Sequence, residues 1–204
     1  LEQVATLLHS QAASVDLHPD QSEALVVRSH KRPPAREKKV APVPLLTTKL
    51  CIPCLPVRLV LRTRLFAQLQ HVLHYPLTLI TSSAGSGKTT LLSSWLHSSS
   101  LPALWISLNA EDDNPLHFWS YIFTALNTSV SGVADLALSL LRLQQPPTLE
   151  TLLTLVINNL AQSSAPLILI LDDYYLITDP AIHQGITFLL DHRPATLHLI
   201  LSTR

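Results

Sequence analysis

From residue 45 onward, the apolar residues follow two alternating patterns. Short unbroken apolar runs are typical of strands that a parallel sheet buries on both faces. Residues 167–171 form such a run, and the mainly apolar residues 77–81, 104–108 and 197–201 are predicted to be strands as well. Between them, apolar residues recur three and four positions apart, which is the period of an amphipathic helix. This period predicts helices at residues 65–73, 88–97, 118–126, 149–160 and 180–190.

The alternation of strands and helices predicts an α/β fold, with a mostly parallel sheet covered by helices on both faces. Asp179 followed by Pro180 marks the start of the last helix, since aspartate caps helix N-termini and proline suits the first turn. Trp95, Trp105 and Trp119 fall on apolar faces, so we expect them in the core. Residues 45–204 are therefore predicted to form one domain.

The first 44 residues have a different composition. They carry six of the fourteen basic residues, interrupted by Pro33 and Pro34, and are predicted to be a poorly ordered tail or linker. We interpret the basic run as a solvated arm, with contact to nucleic acid or an acidic partner as the alternative. The sequence contains no methionine, so we expect it to be an excerpt of a longer protein.

No apolar run reaches the roughly 18 residues that a membrane span requires, and the first ten residues lack the basic start of a secretory signal. Two cysteines are too few for a disulfide framework. We therefore expect a cytoplasmic protein without a membrane contact.

Cys51 and Cys54 form a C-x-x-C motif. His71 and His74 are too close together in sequence for a zinc finger, and we assign this group no metal or redox role.

A small-residue loop follows the first predicted strand and precedes a helix. Residues 82–89 match G-x-x-x-x-G-K-[ST] except that Ser82 replaces the first glycine. Small residues let successive N–H groups point inward as an anion nest, and the helix start adds a positive dipole end. We therefore predict that this loop binds the phosphates of ATP. The predicted nucleotide contacts in and after the loop are Ser83, Ala84, Gly85, Ser86, Gly87, Lys88, Thr89 and Thr90.

Two carboxylates end the third predicted strand, in the manner of a Walker B motif. Asp172 is predicted to orient the Mg²⁺ shell together with the hydroxyl of Thr89. Asp173 is predicted to polarise an attacking water, with Lys88 as the cation on the β- and γ-phosphates. Asp173 and Lys88 are thus the predicted catalytic residues. Arg204, at the tip of the fourth strand, is a candidate sensor of the γ-phosphate.

Three further segments carry a family resemblance. They are residues 48–65, residues 107–121 and residues 171–177, with Thr-Lys-Leu, Glu-Asp-Asp-Asn-Pro and Leu-Asp-Asp-Tyr-Tyr as their most specific parts. Together with the loop, they resemble the ATPase domain of the large LuxR-type transcriptional regulators similar to the maltose-regulon activator. Those are signal-transduction ATPases with numerous domains, which are AAA+-related P-loop NTPases. Serine at position 82 is usual in that family.

The resemblance implies a P-loop NTPase fold that stops before the lid and winged-helix region. It places residues 61–64 near the adenine, so that Arg62 or Arg64 contacts the nucleotide. It also implies that the parent protein self-associates and binds DNA through a C-terminal domain that lies outside this chain.

Two functions remain open from the sequence. The first is a regulatory switch that binds ATP with Mg²⁺ and hydrolyses it slowly. The second is a non-catalytic nucleotide-binding interaction module or remnant. A small-molecule kinase is a third and weaker alternative, because paired aspartates suit an ATPase that activates water.

Overall fold

The computed structural model describes residues 44–57, residue 60 and residues 62–204. The predicted tail, with its basic run, lies outside the described residues, as does Leu61. Its boundary near residue 44 therefore stays a prediction. None of the helices in the described part has the length and apolarity that crossing a membrane would take.

Four parallel strands form a single sheet in the order β1-β4-β3-β2. They are β1 (Leu77–Thr81), β2 (Ala103–Ser107), β3 (Leu167–Asp172) and β4 (Leu197–Thr203). All four predicted strands are present within two residues of their expected bounds. Strand β4 lies between β1 and β3, so the two strands that carry the predicted motifs are next-but-one neighbours.

Six α-helices surround the sheet in the described residues. They are α1 (Thr63–Leu69), α2 (Lys88–Ser98), α3 (Pro115–Ser129), α4 (Asp135–Leu141), α5 (Leu149–Leu160) and α6 (Pro180–His192). The prediction missed α4, and it extended α1 to residue 73, where the chain instead makes a short 3₁₀ turn, Val72–His74. This turn buries Val72, which is 2% exposed, and redirects the chain into β1.

The two faces of the sheet bury different cores. On β3, Ile168 and Ile170 face α1 and α2, whereas Leu167, Leu169 and Leu171 face the side of the helices that follow β2 and β3. This is the strand period of two, with apolar residues on both sides. Helices therefore cover both faces, and the predicted fold class is confirmed. The three tryptophans are core residues, each at most 2% exposed.

A short segment before α1 crosses to the far edge of the sheet. It contains the 3₁₀ turn Thr47–Leu50, which we call the strap. Lys49 Nζ donates to both carboxylate oxygens of Asp112, at 2.9 and 2.7 Å, and the backbone N–H of Leu46 donates to the hydroxyl of Tyr121 at 3.0 Å. The strap is thus anchored to the loop after β2 and to α3.

Candidate functional site

The phosphate loop has the backbone that its glycines permit. Gly85 and Gly87 have φ values of 75° and 86°, in the left-handed region that residues with a Cβ rarely adopt. A Cβ added at Gly85 would touch nothing within 4 Å, so the requirement there is conformational and not steric. Gly87 then caps α2, whose first N–H groups have no intrahelical partner and face the loop as anion donors.

Two cations lie on the carbonyl groups of this loop. Lys88 Nζ donates to the carbonyls of Ser82 and Ser83 at 2.8 and 3.2 Å, and Arg62 Nη2 donates to the carbonyl of Ser86 at 2.9 Å. Both side chains are thus held where a phosphate bound in the loop would meet them. Arg64 is exposed on α1 and has no hydrogen bond or ion pair with the other described residues.

Clefts reach the loop on both sides of Arg62. One, of about 390 Å³, runs along the open edge of β1 and is bounded by Leu65 and Leu79. The other, of about 170 Å³, reaches Gly85 and Thr90. Thr90 is half-buried beside the loop. The predicted loop residues are therefore accessible from two directions.

A hydrogen bond joins the end of β3 to the residue that follows the lysine of the phosphate loop. Thr89 Oγ1 donates to Asp172 Oδ2 at 2.7 Å, across 83 residues of sequence. The carboxylate of Asp172 is almost fully enclosed, at 3% exposure, and its other oxygen, Oδ1, has no partner among the described residues. An enclosed carboxylate oxygen without a donor is an acceptor available for a cation or its water.

Ser202 belongs to the same group, although the sequence did not point to it. The register pairs Leu171 with Leu201, so Asp172 and Ser202 are the next residues along β3 and β4 and face the same side of the sheet. Ser202 is fully buried and its hydroxyl has no partner in the described part of the chain. The only sequence signal was its place next to the predicted sensor, at the end of an apolar run.

These residues fit a magnesium ion of the kind that P-loop sites hold. Mg²⁺ keeps several waters and takes one or two protein oxygens together with substrate phosphates. Thr89 and the free oxygen of Asp172 supply such oxygens, and the hydroxyl of Ser202 can hold a water. Clusters of three or more His, Cys, Asp or Glu side chains are absent from the described residues.

Asp173 has a different environment from its neighbour. Its backbone is left-handed, with φ of 60°, and it is the one described non-glycine residue with positive φ. Burial, with the nearby charge of Asp172, raises the pKa of Asp173, while Lys88 and Arg204 oppose that rise. The carboxyl group therefore lies in the field of the loop lysine and binds a proton more readily than an ordinary aspartate.

Arg204 lies beside Asp173 but contacts Tyr175. Its guanidinium donates to the Tyr175 hydroxyl, and its central carbon is 4.0 Å from the centroid of the Tyr175 ring. The side chain is exposed at the end of β4. The structure thus places Arg204 at the carboxylate end of the site, with no contact to the phosphate loop.

The C-x-x-C lies away from these groups in the strap region. Cys51 and Cys54 are exposed free thiols. The rings of His71 and His74 are tilted against each other, with centroids 5.5 Å apart.

Comparison with known proteins shows which proteins the chain is similar to in sequence. The chain is 39% identical over 152 residues to the HTH-type transcriptional regulator MalT of Cronobacter sakazakii, and 38% identical over 152 residues to that of Yersinia enterocolitica. This segment is homologous to MalT. Each match covers 73% of the chain and 17% of the relative, so the chain spans less than a fifth of the length of the MalT proteins that it matches. The resemblance predicted from the sequence is therefore confirmed.

A solved structure gives the fold of the MalT-like segment independently. Cdc6p from Pyrobaculum aerophilum superposes with a TM-score of 0.51 at 17% identity, over 78% of this chain and 43% of that protein. At this identity the likeness concerns the fold alone, which is the α/β fold with a parallel sheet that the alternation of strands and helices predicted. No protein-family model matches the chain.

Proposed function

We propose that this chain is the ATP-binding switch domain of a larger transcriptional regulator. The observation that carries the proposal is the hydrogen bond between Thr89 and Asp172, because it brings the loop hydroxyl and the strand carboxylate together at the start of α2. In P-loop NTPases these two residue types hold the magnesium of the nucleotide. The homology to MalT supports the regulatory context, since those relatives are named as HTH-type transcriptional regulators.

The loop residues would bind the triphosphate. The N–H groups at the start of α2 and residues 83–87 would bind the β- and γ-phosphates, with Lys88 moving from the carbonyls of Ser82 and Ser83 to the phosphate oxygens. Bound Mg²⁺ would neutralise phosphate charge. Arg62, already on the loop, would add a second cation to the phosphates. By the same resemblance, the parent protein would self-associate, and it would bind DNA through a C-terminal domain.

Asp173 would serve hydrolysis as the general base. The oxygen of a water would bond to the γ-phosphorus while the bond from that phosphorus to the β–γ bridging oxygen breaks, and ADP would leave with that oxygen. The water proton would pass to Asp173 and then to solvent. A base with a raised pKa accepts a proton more readily near neutral pH than an ordinary aspartate does.

Lys88→Ala tests the binding proposal directly. It removes the loop cation, and we expect the affinity for Mg²⁺·ATP, measured by isothermal titration calorimetry, to fall at least about 100-fold, which corresponds to roughly 2.7 kcal/mol. Arg142→Ala is the matched control, because Arg142 follows α4, which packs against α3 and α5. Micromolar binding retained by Lys88→Ala would reject the proposed site.

Phosphate release equal in the wild type and Asp173→Asn would favour a non-catalytic binding module.

A further inference from the structure

The loop after β2 holds the segment that carries Asp173. The carboxylate of Asp113 accepts hydrogen bonds from the backbone N–H of Thr178 at 2.8 Å, from the Thr178 hydroxyl, and from the backbone N–H of Asp179 at 2.7 Å. The Thr178 hydroxyl, followed by the two backbone N–H groups, lowers the pKa of Asp113. Asp113 thus accepts from three donors in Thr178 and Asp179, which lie 65 and 66 residues further along the chain.

The held segment runs from the end of β3 to the start of α6. It begins at Asp173, passes through the 3₁₀ turn Tyr174–Leu176 and ends at Asp179, whose carboxylate caps α6 by accepting from Ala181 N–H at 2.7 Å. The strand fixes the near end. Asp113 fixes the far end, so the turn between them has little freedom to rotate.

This constraint matters because of the backbone at Asp173. A left-handed φ of 60° is uncommon for a residue with a Cβ, although aspartate adopts it more readily than most. The Asp173 carboxylate has no hydrogen bond to another described residue that would aim it. Its direction is therefore set by the backbone of the turn and by whatever holds that turn.

Asp113 is itself well placed to act as an anchor. The next residue towards the N-terminus, Asp112, is fully buried, pairs with Lys49 and accepts from Asn109 N–H at 2.8 Å, while Asn109 in turn accepts from Glu111 N–H at 3.1 Å. These bonds fix the loop from both sides. Two other side-chain bonds reach the turn. Tyr174 and His183 are joined at 2.8 Å, which connects the turn to α6, and the Arg204 guanidinium donates to the Tyr175 hydroxyl, which connects it to the exposed end of β4.

We propose that Asp113 is a positioning residue that sets the direction of Asp173 for water activation. This inference rests on the proposed hydrolysis, and it assigns a role to the acidic motif at residues 111–113 that the site itself did not use. Asp112 anchors the strap and Asp113 anchors the turn after β3. The two neighbouring carboxylates thus connect the strap region to the carboxylate end of the nucleotide site.

Asp113→Asn in the 204-residue chain tests the inference. The amide keeps the size of the side chain but presents N–H groups to donors, so it loses part of the three-bond contact. We expect the kcat for phosphate release to fall about tenfold, since small displacements of a catalytic group cost that much or more. The affinity for Mg²⁺·ATP should stay within about twofold of wild type, because the phosphate loop does not contact Asp113.

A second readout keeps the inference independent of hydrolysis. Hydrogen exchange of the backbone amides at residues 174–177 should be faster in Asp113→Asn than in wild type. Thr178→Val should give the same direction with a smaller effect, and Thr178→Ser, which keeps the hydroxyl, should restore wild-type exchange and kcat. Asp135→Asn is the matched control, because Asp135 is an exposed carboxylate that accepts from Asn127 away from the turn.

The outcomes separate this inference from the function on which it rests. Wild-type phosphate release no faster than that of Lys88→Ala would reject the proposed hydrolysis, and the exchange data would still decide whether Asp113 holds the turn. Unchanged exchange at residues 174–177 in Asp113→Asn would overturn the inference. So would an equal loss of kcat and nucleotide affinity, since that pattern indicates general misfolding.

Discussion

At the residue scale, two adjacent aspartates have different surroundings. Asp172 ends a buried strand and accepts from Thr89, whereas Asp173 has left the strand in a left-handed conformation and lies between another carboxylate and two cations. One is suited to a fixed metal contact and the other to proton exchange. Both residues are aspartates, so the difference between them comes entirely from the surrounding structure.

Asp173→Asn should stabilise the protein in a pH-dependent way. The folded state raises the pKa of Asp173 above its ordinary value of 3.8, so the ionised form opposes folding. Below that value the group is neutral in both states, and the opposition is absent. The asparagine variant should therefore gain about 1 to 3 °C in Tm at pH 7.

Thermal unfolding by circular dichroism between pH 3 and 8 measures this gain. Asparagine also tolerates the left-handed backbone better than aspartate, but that contribution does not change with pH. The electrostatic part is the portion of the gain that disappears on acidification. A gain of equal size at pH 3 and pH 8 would contradict the pKa argument.

At the scale of elements, the strap is a short segment without buried residues, and side-chain contacts attach it to the rest of the domain. Its 3₁₀ turn, Thr47–Leu50, has no buried residue. It depends on Lys49, whose ammonium contacts the fully buried carboxylate of Asp112 and lies 5.0 Å from the centre of the Tyr121 ring. A buried carboxylate that loses its cation carries a large desolvation cost.

Lys49→Met should therefore lower the free energy of unfolding by about 3 kcal/mol at pH 7. Methionine keeps most of the aliphatic length and removes only the charge and the hydrogen bonds. Urea denaturation measures the change, and Thr48→Ala, in the same turn but exposed, should stay within about 0.5 kcal/mol of wild type. A Lys49→Met variant as stable as Thr48→Ala would show that the strap does not depend on this ion pair.

At the scale of the whole molecule, ligand binding and folding are linked through the sheet. The phosphate loop follows β1 and the aspartates follow β3, with β4 between them. A nucleotide held at both places ties three strands and α2 together. Any ligand that binds only the folded state stabilises it by an amount set by its concentration relative to Kd.

Mg²⁺·ATP at 100 times its Kd should thus add about 2.7 kcal/mol to stability, or about 5 to 10 °C in Tm. The part of this shift that needs Mg²⁺ should be lost in Asp172→Asn, whereas the shift with ATP and EDTA should be the same in both proteins. Differential scanning fluorimetry measures both. A magnesium-dependent shift that survives in Asp172→Asn would remove Asp172 from the metal site.

Prediction from the sequence succeeded where the signal is local. Residues 167–171 are continuously apolar and form a fully buried strand, and the Asp-Pro pair at 179 and 180 marked the start of α6. The prediction missed α4, because a helix of seven residues has too few turns for its apolar period to be recognised. The roles of the nucleotide-binding residues stay predictions, although the structure groups Arg62, Lys88 and Thr89 around one loop.

The sequence by itself indicated the strands and predicted the phosphate loop and the acidic pair, because each of these depends on neighbouring residues. The family resemblance came from segments spread along the chain. Only the tertiary structure decided which residues meet across the chain. Ser202 lies beside Asp172 because β4 is inserted between β1 and β3, and Asp113 meets Thr178 because the loops after β2 and β3 emerge at one edge of a parallel sheet. Strand order depends on how crossover helices pack, which no local pattern encodes.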